Sequence, residues 1–211
     1  MKKVVHINLG GKEFTIDEDA YAELDHYLKS IEKHFSKSKG FEGILYDIEV
    51  RIGELLEEDT QHGTIVNMAK INRIMNTMGR PKDFTDEHSA DASSDKKKKK
   101  INIKTGKKLY RDTENQMFSG VAAGLSAYFG IKDPLLIRIL FVVFALSGGI
   151  GIIAYFVMWV AIPKAETSSD YLAMQGEEIN IDNIAKTVES GITTIKDKIQ
   201  DISKGIKTRM L

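Results

Sequence analysis

The chain has 211 residues, with 30 Lys and Arg against 30 Asp and Glu, and it contains no Cys. The balanced charge argues against a polyanion binder, and the lack of Cys excludes disulfides, thiolate metal sites and thiol catalysis. The N-terminus has two lysines but no apolar stretch behind them, so we expect no signal peptide and a first module that stays in the cytoplasm.

Residues 1–84 have the pattern of a small soluble α+β domain. Alternating apolar residues on both sides of Gly10 and Gly11 predict a β-hairpin. Three stretches with apolar residues at steps of three and four then predict three helices, the first capped by Asp17 and the third by Asn67. These stripes are interpreted as the core of one sensing or docking domain.

Residues 85–106 predict a disordered polybasic linker, because they hold almost nothing apolar to bury. Its lysine cluster is assigned to anionic lipid rather than to nucleic acid, since no aromatic residues are interleaved and an apolar run follows. The positive-inside rule then places the N-terminus in the cytoplasm. The predicted lipid tether is Lys96, Lys97, Lys98, Lys99 and Lys100.

An uncharged apolar run over residues 139–162 predicts membrane insertion, because about 20 apolar residues cross a hydrocarbon core roughly 30 Å thick. Glycines near residue 149 leave two routes open. A single kinked crossing is favoured and would place the C-terminus outside, whereas a hairpin folding back at residues 147–149 would keep it inside. The predicted interface anchors are Arg138, Tyr155, Trp159 and Lys164.

Residues 117–129 predict a helix beside this run, with an apolar side and a flat strip of small residues. Such a strip lets a second helix approach closely, although packing on the same chain or lying in the membrane interface fits equally well. The residues assigned to helix packing in the membrane are Gly120, Gly124, Gly148, Gly149 and Gly151.

The order of motifs between residues 107 and 163 closely resembles the phage-shock-protein C (PspC) domain. A basic and aromatic start at residues 107–111 is followed by Gly-Val-Ala-Ala-Gly-Leu-Ser-Ala-Tyr-Phe at residues 120–129, then Pro134, Arg138 and Tyr155 with Trp159. Ala122 stands where the family often has Cys. The resemblance implies a bacterial envelope-stress regulator of the cytoplasmic membrane, which recruits a peripheral stress effector through protein contacts.

After a spacer over residues 165–179, residues 180–208 predict an amphipathic or coiled-coil helix. Self-association, docking on another membrane subunit and lying flat on a membrane all satisfy its apolar face. The assigned interaction stripe is Ile192, Ile195, Ile199, Ile202 and Ile206.

The predicted fold class is therefore a mainly α membrane protein with a soluble N-terminal α+β domain, a glycine-broken transmembrane segment and a C-terminal amphipathic helix. The expected partners are membrane lipids and proteins of an envelope-stress system, with a homo-oligomer left open and no nucleic acid. We expect no enzyme and no cofactor, since no nucleophile, phosphate-loop or metal pattern occurs. A small oligomeric transporter or channel subunit is the alternative, which the scarcity of polar residues in the run disfavours.

Overall fold

The structure is a computed structural model, and it describes residues 3–59, 64–80, 106–114, 117–131 and 133–209, the last stretch by backbone alone from residue 204. The chain forms two compact units, one of Met1–Lys97 with Asn180–Leu211 and the other of Lys98–Ile179. The predicted tether at Lys96 to Lys100 and almost all of the predicted linker lie outside the described residues.

The first unit begins with the predicted β-hairpin. Strands β1 (Val4–Leu9) and β2 (Lys12–Asp17) pair antiparallel. Gly10 and Gly11 between them have φ angles of 57° and 82°, which a tight two-residue hairpin turn requires and which glycine adopts without steric cost. Val66 adds a parallel bridge to Ile16 at the free side of β2.

Three helices complete the core of this unit, namely α1 (Glu18–Phe35), α2 (Phe41–Asp59) and α3 (Met68–Met78). Their apolar faces meet under the hairpin, and the hydroxyl of Tyr27 donates to the carbonyl of Gly79 at 2.6 Å. The predicted α+β domain is thereby confirmed. Its fully buried side chains include Ile16, Leu24, Ile31, Ile44, Ile48, Ile52, Leu56, Ile71, Met75 and Met78.

The second unit is helical. After an extended segment at residues 106–114 it contains α4 (Val121–Phe129), α5 (Leu135–Leu146), α6 (Ile150–Ala161) and α7 (Ser168–Gln175). Helix α5 packs along α6, and α4 packs against α5, α6 and α7. The final helix, α8 (Ile181–Arg209), returns to the first unit and packs against α2.

The predicted glycine-broken transmembrane segment, and with it the fold class of a membrane-spanning protein, is wrong. Among the described residues, no helix combines the length and the apolar character needed to cross a membrane. The apolar run is instead divided between α5 and α6, because Gly148 and Gly149 have φ angles of 108° and 79° and so end one helix before the next begins. The favoured single crossing therefore gives way to the fold-back at residues 147–149.

Candidate functional site: an apolar helical hairpin

Helices α5 and α6 return on each other with almost no space between their backbones. A Cβ atom built on Gly151 would lie 2.5 Å from the backbone nitrogen of Ala145 and 2.6 Å from the carbonyl oxygen of Phe141. Only a residue without a side chain permits this approach. Farther from the turn, the rings of Phe141 and Tyr155 meet edge to face with centroids 5.1 Å apart.

The outside of this hairpin is apolar on both helices. Leu146 at its tip is 84% exposed and Val160 near its base is 74% exposed. Contiguous apolar surface of this extent on a soluble monomer marks an interaction site for protein or lipid. The other large apolar side chains exposed here are Leu135, Leu136, Ile139, Leu140, Val142, Val143, Phe144, Ile150, Ile152, Ile153, Phe156, Val157 and Trp159.

Arg111 fastens the base of the hairpin. Its Nε donates to the carbonyl of Ile162 at 2.9 Å, and its Nη1 donates to the carbonyl of Ser119 at 3.3 Å. Its backbone amide donates to Pro163 at 2.8 Å, and its carbonyl accepts from Ala165 at 3.0 Å. One residue thus ties the end of α6 to the segment that precedes α4.

The basic start of the unit lies between α4 and α7. Lys107 donates to the carbonyl of Tyr128 at 3.1 Å, and its aliphatic stem lies beside Gly176. The backbone amide of Lys108 donates to Ala173 at 3.1 Å. This segment, residues 107–112, therefore holds the two short helices together, and we call it the strut.

Gly120 and Gly124 lie against this same strut. A Cβ on Gly120 would be 2.3 Å from the carbonyl oxygen of Asp112, and a Cβ on Gly124 would be 2.0 Å from that of Tyr110. In the described part of the unit, the close approach at both glycines is made by the chain's own backbone. Their role toward a second helix in a membrane stays a prediction.

An open cavity of about 170 Å³ lies between the start of α4 and the hairpin. Met117, Phe118, Phe141 and Val142 supply apolar walls. Arg138 also lines it, and its Nη1 lies 3.1 Å from the sulfur of Met117. The cavity provides apolar contact beside a guanidinium group, which suits binding rather than catalysis.

The predicted anchors occupy different parts of the hairpin. The hydroxyl of Tyr155 accepts from Ser119 Oγ at 2.8 Å, which joins α6 to the start of α4. Trp159 packs edge to face on Phe156 and stays 46% exposed, and Lys164 forms a parallel bridge with Arg111 at the base. Their proposed role at headgroups stays a prediction.

Sequence reasoning missed α7 and its contacts. Thr167 and Asp170 form a capping box at its start, and this spacing of Thr and a carboxylate was a signal that could have revealed the helix within the predicted spacer. The hydroxyl of Tyr171 lies 3.1 Å from Thr113 Oγ1, and burial raises the pKa of this phenol above its ordinary value. The phenol therefore stays neutral and acts as a hydrogen-bonding group.

Comparison with known proteins gives one family. Residues 107–165 match the model of the PspC domain, so the match covers the strut, α4 and the whole apolar hairpin. PspC domains belong to phage-shock-type stress-response proteins, which are non-enzymatic and generally membrane-associated in bacteria. No curated protein and no solved structure matches the chain.

Proposed function

We propose that this PspC-domain protein is a membrane-associated regulator of a bacterial phage-shock-type stress response that acts by binding other proteins, including a peripheral stress effector. The match over residues 107–165 supports the stress-response class. The exposed apolar hairpin of that domain is the observation that carries the membrane association, because water is a poor solvent for so continuous an apolar surface.

In this proposal the hairpin enters one leaflet of the cytoplasmic membrane without crossing it. Each of α5 and α6 has 12 residues. At about 1.5 Å per residue such a helix is about 18 Å long, which is comparable with half of a hydrocarbon core of roughly 30 Å. The backbone amides within each helix are paired, and at the turn Ser147 and Gly149 donate to the carbonyls of Val143 and Ala145, which lowers the desolvation cost of inserting the pair.

The packing of α8 on α2 supports the entry of the hairpin from one side. Helix α8 follows the PspC domain, whereas α2 precedes it, and both belong to the same compact unit. The chain on both sides of the domain must then lie in one compartment, which we propose to be the cytoplasm. A fold-back at residues 147–149 meets this requirement.

Flotation with lipid vesicles tests the membrane contact. Val143 and Val157 are 55% and 57% exposed on α5 and α6, and Val143→Asp or Val157→Asp would place a carboxylate in the leaflet. Because an Asp deep in a bilayer costs about 2.5–3.5 kcal/mol, each variant should bind phosphatidylcholine vesicles roughly 100-fold more weakly.

Tyr46→Asp is the matched control, since Tyr46 is a 60% exposed apolar side chain on α2 outside the PspC domain. It should float as well as the wild type. Equal flotation of all three variants would refute the lipid contact. A change in oligomeric mass without a change in flotation would show that the hairpin binds other copies of this chain instead.

A stress reporter tests the regulatory role. Bacterial cells that lack the protein should lose the change in reporter output on envelope stress, and the wild-type chain should restore it. The Val143→Asp variant should be expressed but should not restore it. An unaltered stress response in cells without the protein would refute the proposed class of function while leaving the membrane contact intact.

A further inference from the structure

Helix α8 carries one apolar seam with a strict seven-residue repeat. The seam has two neighbouring rows, and residues of the second row follow those of the first by four positions. At 3.6 residues per turn, both rows lie on one face of the helix. The first row is Ile181, Val188, Ile195 and Ile202, and the second is Ala185, Ile192, Ile199 and Ile206.

The first half of the seam is occupied by the chain's own N-terminal domain. A Cβ built on Gly40 would lie 2.2 Å from Cδ1 of Ile192 and 3.0 Å from Cγ1 of Val188, and one on Gly43 would lie 3.5 Å from the same Val188 atom. Ile181, at the start of the helix, is fully buried. Two glycines at the start of α2 thus form the surface that receives this half.

The second half of the seam has its large side chains in solvent. Ile195, Ile199 and Ile202 are 58%, 60% and 63% exposed. These three β-branched residues continue the rows whose first half is covered by the N-terminal domain. Because burial of their apolar surface is favourable, they are positioned to bind a second surface.

Charges beside the seam change sign between its halves. The residues that follow the first three members of the first row are, in order, Asp182, Glu189 and Lys196. At about 100° per residue, Lys196 and Lys198 border the two edges of the exposed half, while Asp197 and Asp201 lie on the far side. The exposed half is therefore an apolar strip between two cations, with its acids turned away.

We infer that the exposed half of α8 binds an anionic membrane surface, with its isoleucines in the interface and Lys196 and Lys198 at lipid phosphates. Amphipathic helices that lie in such interfaces combine an apolar face with Lys and Arg beside it. The contact is separate from the hairpin of the proposed function, because it belongs to the other unit and depends on lipid charge.

A second copy of the chain would be the other way to cover the strip. Isoleucine in both rows favours bundles of three or four parallel helices. In such a bundle Lys196 and Lys198 would flank the seam, and the described exposed half has no acidic residue at a flanking position to pair with them. The charge pattern therefore favours phosphates over a second copy.

A single-cysteine fluorescence experiment on the full chain tests this inference, and the native sequence contains no other Cys. An environment-sensitive dye is attached to Ile199→Cys, or to Gln200→Cys as the control away from the seam. With vesicles that contain phosphatidylglycerol, the dye at residue 199 should shift to the blue, whereas vesicles of phosphatidylcholine alone should give no shift. The shift should disappear at about 1 M salt, where charges are screened beyond roughly 3 Å.

Charge reversal separates the strip from the rest of the helix. Each lysine near an anionic leaflet strengthens binding about fivefold, so Lys198→Glu should weaken the response of the residue 199 dye to phosphatidylglycerol by about 30-fold. Lys186→Glu makes the same change on α8 at an exposed residue that lies away from the seam, and it should leave the response unchanged. Equal effects of the two reversals would overturn the inference.

Two further readouts distinguish a lipid surface from a second copy of the chain, and they separate failure of this inference from failure of the proposed function. A concentration-dependent shift without vesicles, together with disulfide-linked copies of the unlabelled Ile199→Cys protein, would assign the strip to a second copy and refute lipid binding. A dye on Val143→Cys reports the hairpin and should respond to both kinds of vesicle. Loss of that signal alone would refute the hairpin contact, and loss of the residue 199 signal alone would refute the inference about α8.

Discussion

Replacing Gly151 by leucine should force the two helices of the apolar hairpin apart. The new Cβ would lie 2.5 Å from the nitrogen of Ala145 and 2.8 Å from the carbonyl carbon of Phe144, both backbone atoms that no rotamer change can move. Ordinary contact needs about 3.5 Å, so the backbones must separate by about 1 Å.

Overpacking of this kind costs about 1–3 kcal/mol, which shifts the balance between closed and open hairpins by about 5- to 150-fold. Leucine has a better intrinsic helix propensity than glycine, by up to roughly 1 kcal/mol, and this acts in the opposite direction. A net loosening therefore requires that the helix contact be as close as the structure shows.

Spin labels at Leu136→Cys and Val160→Cys measure the result. Both sites are exposed, at 62% and 74%, and they lie near the base on opposite helices. Packed helices have axes about 8–10 Å apart, whereas a continuous helix would separate these residues by about 36 Å. The wild type should give a short, narrow distance distribution, and Gly151→Leu should broaden it to longer values.

Ala161→Leu is the control for added bulk, because residue 161 is an exposed position on the same helix. It should leave the distance unchanged. A wild-type distance near that of a continuous helix would refute the fold-back itself. An unchanged or shorter distance in Gly151→Leu would refute the reasoning from close backbone contact.

Three more changes test the strut and the helices around it. Arg111→Met leaves the carbonyls of Ile162 and Ser119 without their charged donor. Amide exchange at residues 162–165 should therefore rise by about 10- to 150-fold, corresponding to about 1.5–3 kcal/mol. Arg111→Lys should restore only part of the lost protection. Gly124→Ala should destabilise the second unit by about 1–3 kcal/mol in thermal unfolding, whereas Gly106→Ala, whose added Cβ would have no atom within 4 Å, should not. Burial raises the pKa of Tyr171, so its absorbance should titrate above the ordinary value of about 10. Because the phenol loses its proton at lower pH in the unfolded chain, the folded state should lose stability as pH rises through this range, and Tyr171→Phe should reduce that loss. Titration of all phenols together near 10 would contradict the burial.

The N-terminal domain was predictable because each of its elements is indicated by a short stretch of sequence. Gly10 and Gly11 between alternating residues predict the hairpin, and Asn67 before an apolar stripe predicts α3, whose Lys70 amide it caps at 3.1 Å. The structure contains both. These signals depend on neighbours within a few residues, where backbone conformation is decided locally.

The route of the apolar run was not predictable in the same way. Glycines at residues 148 and 149 allow either a kink or a reversal, and a hydropathy pattern is the same for both. The reversal depends on contacts between residues that only come together after it has formed, such as Gly151 with Ala145 and Tyr155 with Phe141. The sequence shows that a close approach is permitted at Gly151, but not which backbone makes it.

The same limit applies to Arg111 and Gly124, and it changes how the motif of the PspC domain is understood. In the sequence pattern the basic start and the small residues are separate parts of the motif, and only the small residues are assigned to a partner helix. In the structure they meet each other, since the backbone that carries Arg111 fills the space left open at Gly124. Gly124 is therefore already occupied by the chain's own backbone, whereas the apolar outside of the hairpin is exposed. A variant that disrupts partner binding through Gly124 should first loosen the strut, and exchange at residues 162–165 should reveal this before any loss of membrane contact.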